Sequence, residues 1–161
     1  MNRAWLALLS LAFLAASTTA RAESSRQEVI LGVNPDEMAK ILQDIGYRAE
    51  LLKNDEGKRR IRTRIASWTV TLNFYSCEDK ETNCKSIGLR SFFINESKKT
   101  VAFANDWNRT KRFSKVYIDS DNDINIEFDL LFRNGITQAN IRANLDVFED
   151  QLKEFVEAIK K

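Results

Sequence analysis

Six apolar residues near the C-terminal end, Ile141, Leu145, Phe148, Leu152, Phe155 and Ile159, recur at spacings of four, three, four, three and four. That spacing lays them along one stripe of an α-helix, with Thr137 placed to cap its start. A helix with one long apolar stripe and a charged remainder has to bury the stripe on another layer. A coiled-coil seam has the same spacing, but the run is short for one, so a sheet is the expected support. The middle of the chain provides the strands. Val70, Leu72 and Phe74 alternate with Thr69, Thr71 and Asn73, a period of two with one face buried and one wet, as in antiparallel sheets. The expected fold class is α+β, an antiparallel sheet with flanking helices.

The other elements follow in order. Asn34-Pro35-Asp36-Glu37 is a strong helix start, with Asn34 as N-cap, Pro35 at the first helical position and Glu37 reaching back as in a capping box. Met38, Ile41, Leu42 and Ile45 keep helical spacing until Gly46 stops it. Glu28 to Gly32 reads as a short extended entry. Arg48 to Lys53 and Lys58 to Ile65 form a hairpin around Asn54-Asp55-Glu56-Gly57, and Thr69 to Cys77 and Lys85 to Phe93 form the next. Ser97 to Asn108 reads as a second helix with Val101, Ala104 and Trp107 on one stripe. Phe113 to Ile118 and Ile124 to Phe132 return to strand around a run of aspartates, Asp119, Asp121 and Asp123. The order is helix, strands, helix, strands, long C-terminal helix, with no internal repeat or linker to divide it.

The start of the chain belongs to targeting rather than to the fold. Met1 to Arg3 is positive, Ala4 to Ala16 is almost wholly apolar, and Ala20-Arg21-Ala22 is an A-x-A cleavage pattern. The apolar run, about 13 residues, falls short of the roughly 20 that a spanning helix needs. Residues 1–22 are therefore expected to be a signal peptide cleaved after Ala22, leaving 23–161 as a single exported domain without a transmembrane segment, in a bacterial periplasm. Removing Arg3 and Arg21 lowers the 25 Lys and Arg to 23, equal to the 23 Asp and Glu. A neutral domain is poorly suited to nucleic acid, whose phosphates are bound by uncompensated cations. The chain has no histidine, which excludes Ser-His-Asp and Cys-His catalysis, H-E-x-x-H zinc sites and imidazole ligands generally. Cys77 and Cys84 are the only cysteines. In an oxidising compartment they are expected to bridge the ends of their two strands. A metal or redox pair is the alternative, with no C-x-x-C spacing and no third Cys or His to complete it.

The run Asn105-Asp106-Trp107-Asn108-Arg109-Thr110-Lys111-Arg112-Phe113, of the form N-x-W-N-x-x-x-R-F, is followed by a strand, an acidic turn, the strand of Glu127, Asp129 and Leu130, and an Asn134-Gly135-Ile136-Thr137 step into the long helix. With Gly46-Tyr47 upstream, this succession resembles the YbjN family over about Val33 to Ile159. The resemblance implies a fold like that of type III secretion chaperones, an α+β layer that often dimerises, a label as sensory-transduction regulator, paired cysteines in exported members, and no catalytic activity.

Candidate sites remain to be weighed from the residues. Asp119, Asp121 and Asp123 match the first three ligands of a calcium loop, but Ile124 stands where glycine is needed and Leu130 where a bidentate glutamate is needed; a hairpin turn is the expectation. Glu127 and Asp129 could be a glycosidase pair, yet two carboxylates two apart on one strand more readily pair with cations across the sheet, Arg60, Arg62 and Arg64 being an alternating row of them. Residues 48–64 hold seven cations against three anions and residues 98–115 hold six against one, a solvated surface or else a patch for anionic lipid or polysaccharide. Trp107 belongs either to the core or, with Arg112, to a protein-binding surface. Arg112 could alternatively clamp a carboxylate of the acidic turn. No catalytic, cofactor-binding or metal-binding residue is expected. Trp107, Arg112, Arg60, Arg62 and Arg64 are the candidate binding residues, for an unidentified protein or peptide partner or a second copy of the chain.

Overall fold

The computed structural model describes residues 28–95 and 98–161; the signal segment, its cleavage point after Ala22 and Ser97 lie outside the described residues. The elements run β1 (Val29–Ile30), α1 (Pro35–Asp44), β2 (Glu50–Lys53), β3 (Arg59–Ile65), β4 (Trp68–Tyr75), β5 (Ser86–Phe93), α2 (Val101–Thr110), β6 (Lys115–Ile118), β7 (Ile124–Leu131), β8 (Ile136–Thr137) and α3 (Gln138–Lys160). Six strands form one antiparallel sheet in the order β2-β3-β4-β5-β7-β6, and β1 pairs with β8 apart from it. The fold is α+β, as the periodicities require.

Local chemistry accounts for most boundaries. Asn34 Oδ1 accepts the Glu37 N–H at 2.9 Å and Glu37 Oε2 accepts the Asn34 N–H at 2.8 Å, so the capping box that starts α1 is complete. Thr137 caps α3 by accepting from the Asn140 N–H. Ile141, Leu145, Phe148, Leu152 and Phe155 of its stripe are buried. They pack on the inward row of every central strand: Ile61 and Ile65, Val70 and Leu72, Ile87 and Leu89, Ile126 and Phe128. Met38 and Leu42 of α1 and Ala104 and Trp107 of α2 join the same core. The opposite face of the sheet carries no helix among the described residues.

Several expected boundaries move. The second helix begins at Val101; before it the Asn95 side chain holds Lys99 outside the helix, accepting the Lys99 N–H at 2.7 Å and donating to the Lys99 carbonyl at 2.8 Å. Val101 is consequently exposed instead of lying on the buried stripe with Ala104 and Trp107. The sixth strand begins at Lys115, not Phe113, because Phe113 has φ +71° and the Ser114 N–H closes a tight turn on the Arg112 carbonyl at 2.9 Å. Arg48 drops out of β2; its carbonyl accepts the Thr63 hydroxyl instead. Cys77 and Cys84 are joined by a disulfide that closes the loop between β4 and β5. The backbone of Cys84 pairs in turn with Val33, which ties the start of the described chain to that loop.

Candidate functional site

The uncovered face is built by strand alternation. Inward Ile61, Thr63 and Ile65 leave Arg60, Arg62 and Arg64 outward on β3, and the pairings carry that phase across the sheet. One row runs through all six strands: Glu50, Arg62, Thr71, Arg90, Glu127 and Lys115. Its charges are engaged at both ends. Arg62 is bidentate to Glu50, with Nε to Oε2 at 3.0 Å and Nη2 to Oε1 at 2.9 Å. Glu127 accepts the Tyr117 hydroxyl at 2.5 Å and pairs with Lys115 Nζ at 2.6 Å.

Arg90 is the centre of the face. Its Nε donates to Asn125 Oδ1 at 2.7 Å, its Nη2 reaches Asp119 Oδ2 at 3.1 Å, and its guanidinium lies 5.9 Å from the Tyr117 ring centroid. Asp119 also accepts the Asn125 amide at 2.9 Å and the backbone N–H groups of Asp123 and Asp121. That set of donors, the Asn125 bond first, holds its carboxyl below the usual range. Burial and the Glu127 bond push the Tyr117 phenol well up, so it stays a donor. Around this polar centre stand three large exposed apolar side chains, Tyr75 on β4, Phe92 on β5 and Leu131 on β7. A cavity of about 430 Å³ lies between Tyr75, Arg90, Lys115, Glu127, Asp129 and Leu131. A second, of about 200 Å³, lies between Arg60, Arg90, Phe92 and the acidic turn.

The candidate binding residues do not form one surface. Arg60, Arg62 and Arg64 share the uncovered face near the β2 edge. Arg112 lies beyond α2, beside the edge strand β6 at the other end of the strand order, so the two basic clusters are separate. Trp107 takes the core position: 4% exposed, it packs edge-on to Phe155 with ring centroids 5.4 Å apart and donates its Nε1–H to Ser114 Oγ at 3.1 Å. Arg112 does not clamp the acidic turn; Arg90 does, and the Arg112 guanidinium instead lies 4.8 Å from the Phe113 ring centroid. Nor are Glu127 and Asp129 neighbours of the β3 arginines, since β4 and β5 stand between; Glu127 meets Arg90 and Lys115.

Two functional groupings escaped the sequence reading. Arg90, Tyr75 and Phe92 sit singly in strands, and only the register shows that they share a face. Asn108 belongs to the N-x-W-N motif, whose sequence alone assigns it no role. Its amide donates to the Val116 carbonyl at 2.9 Å and accepts the Val116 N–H at 2.8 Å, so α2 closes the outer edge of β6 with a side chain.

No described helix is long and apolar enough to cross a membrane. No curated protein matches the sequence. Among solved structures, the Yersinia pestis type III secretion chaperone SycH, in complex with a stable fragment of YscM2, is similar at 14% identity and a TM-score of 0.46, over 73% of this chain and 94% of that one. The family model that matches is YbjN, described as "Putative bacterial sensory transduction regulator", and the match spans residues 34–161. With most of its length matched, α1 to α3 inclusive, the chain belongs to the YbjN family.

Proposed function

We propose that this chain is an exported, non-enzymatic module of the cell envelope that binds a protein or peptide on its uncovered sheet face, in a regulatory or chaperone-like role. Residues 1–22 act as a signal removed after Ala22, and 23–161 are the periplasmic domain. The observation that carries the reading is a six-stranded sheet with one bare face on which Tyr75, Phe92 and Leu131 are exposed around a rigid polar centre. Large exposed apolar side chains gathered on a single face mark interaction surfaces. A disulfide between the only two cysteines suits an oxidising compartment. The non-enzymatic part rests on the absence of histidine and on carboxylates already committed: Asp119 to Arg90 and Asn125, Glu127 to Tyr117 and Lys115. The module needs no cofactor.

The test is capture from the protein's own envelope extract at two salt concentrations, comparing wild type with Phe92→Asp and Tyr75→Ala. A specific protein retained at both salts by wild type and released by both variants is the expected result. Retention that ignores the variants would refute the surface. A second reading has its own observation: Arg48, Arg62 and Arg64 line a hollow of about 860 Å³ where β2 leaves β3, room for an anionic lipid headgroup or sugar phosphate. Vesicles of anionic lipid, bound at low salt and released at high salt, would favour it.

A further inference from the structure

Where β4, β5 and β7 run side by side on the uncovered face, one central position lacks a side chain. Gly88 of β5 pairs with Asn73 of β4 on one side and Asp129 of β7 on the other. Its φ is not positive, so the strand does not need glycine for its backbone there. A glycine inside a strand marks a place where a ligand or another chain approaches closely. The cavity of about 430 Å³ opens above it. A Cβ at position 88 would stand 3.0 Å from Tyr75 Cε2 and 3.5 Å from Asp129 Oδ1, so one point above the strand meets an aromatic ring and a carboxylate together. In the next row Tyr75 and Leu131 flank the short side chain of Ser86. They are 51% and 61% exposed and stand two strand spacings apart, about 10 Å. Between them lies a slot with apolar walls that leads to Gly88.

The slot ends in a negative charge that the chain does not compensate. The neighbouring cations are engaged elsewhere: Lys115 Nζ pairs with Glu127 at 2.6 Å, and Arg90 Nη2 reaches Asp119 at 3.1 Å. Asp129, exposed on β7, makes no ion pair among the described residues. Burial, then the charges of Glu127 and Asp129, push the Tyr75 phenol up, so the ring stays neutral in a negative field.

We infer that this slot takes one basic side chain of the partner, a lysine or an arginine. The aliphatic stem lies on Ser86 between Tyr75 and Leu131. The cationic head stops over Gly88, where the Asp129 carboxylate attracts it by charge and the Tyr75 ring by its π electrons. Other side chains are selected against. An acidic one is repelled by Asp129, and an apolar one of the same length takes water from that carboxylate without offering it a partner. This inference rests on the proposal that the uncovered face binds a protein or peptide, and it names the chemistry of the partner residue that anchors there.

The test is a titration of the isotope-labelled protein, purified from the envelope of cells expressing the full chain, followed by backbone amide chemical shifts. The probes are the Nα-acetyl N-methylamides of lysine, arginine, norleucine and glutamate. The lysine or the arginine probe, or both, should move the Gly88 and Asp129 amides saturably, and the pattern names the base. Norleucine, which has the stem of lysine without its charge, and glutamate should not. Asp129→Asn, an exposed and nearly isosteric change, should weaken the binding at least about threefold, and Tyr75→Leu at least about twofold. Circular dichroism confirms that both variants are folded. Norleucine binding as well as lysine, basic probes that leave Gly88 unmoved, or an Asp129→Asn chain that binds them as wild type does would each overturn the inference. An envelope protein captured by wild type, lost with Phe92→Asp and fully retained by Asp129→Asn would also overturn it, while leaving the binding face standing.

Discussion

Replacing Asn108 by alanine isolates the device that closes the edge of the sheet. The side chain makes two hydrogen bonds to one residue, at 2.9 Å to the Val116 carbonyl and 2.8 Å from the Val116 N–H. Val116 itself is 1% exposed, so these backbone groups are poorly rehydrated when the amide is removed. Two intramolecular hydrogen bonds contribute about 2 kcal/mol net. The better helix propensity of alanine returns several tenths of a kcal/mol in α2. The expected loss is about 1.5 kcal/mol, which for a domain of this size lowers Tm by about 5 °C. Urea unfolding followed by tryptophan fluorescence gives the free energy, and hydrogen exchange at the Val116 amide gives the location. Asn108→Asp sharpens the test: it keeps the acceptor for the N–H but sets a carboxylate against the carbonyl, so at neutral pH it should destabilise at least as much as alanine. A loss under about 0.5 kcal/mol, with Val116 protection unchanged, would refute the edge-clamp reading.

Three further outcomes follow from separate parts of the structure. Gly135→Ala should destabilise by about 2 kcal/mol, since φ is +95° and the added Cβ would stand 2.2 Å from Val29 Cγ1; urea titration measures it, and Val29→Ala in the same chain should recover part of the loss. Reducing the Cys77–Cys84 bridge should cost about 2.5 kcal/mol, the loop entropy of an eight-residue ring, with faster exchange at the Val33 amide that pairs with Cys84. Asp119 has its folded-state pKa lowered, chiefly by the Asn125 bond, so its contribution is present above the unfolded value of about 3.9 and is lost as pH falls below it. Asp119→Asn should therefore lose stability less steeply than wild type below about pH 4, as acid titration by circular dichroism would show; equal slopes would refute the linkage.

The elements legible in the sequence are those whose signal is local. The stripe of α3 and the alternation of β4 need only the chain's own periodicity, and the capping box of α1 lies within four consecutive residues. Misplaced boundaries occur where a side chain competes with the repeat. Asn95 holds Lys99 outside α2, and the positive φ of Phe113 delays β6. The β3–β4 turn is made by Ala66 and Ser67, at φ +48° and +74°, without the glycine or asparagine that normally advertises such a turn. The site was less legible than the fold because it is a product of register. Arg90 has Glu127 on one side and Thr71 on the other only because of two pairings between segments distant in sequence, and nothing within the strand of Arg90 reports them.

The motif that identifies the family is spent mainly on holding the molecule together. Trp107 fills the core beside Phe155, Asn108 closes the β6 edge, and Asp119 at the acidic turn is held by Arg90 and Asn125. Each has its polar atoms satisfied by the chain itself, which leaves little for a partner. Arg112 and Phe113 of the motif lie on the surface, stacked on one another at a turn of unfavourable backbone conformation. The uncovered face is therefore more open to variation than the core. The outward side chains of β3, β4 and β7 can change without touching the core, because each alternates with an inward neighbour that fixes the strand in place. Substituting Arg60 or Asp129 alters outward side chains alone, whereas substituting Trp107 removes a side chain from the core.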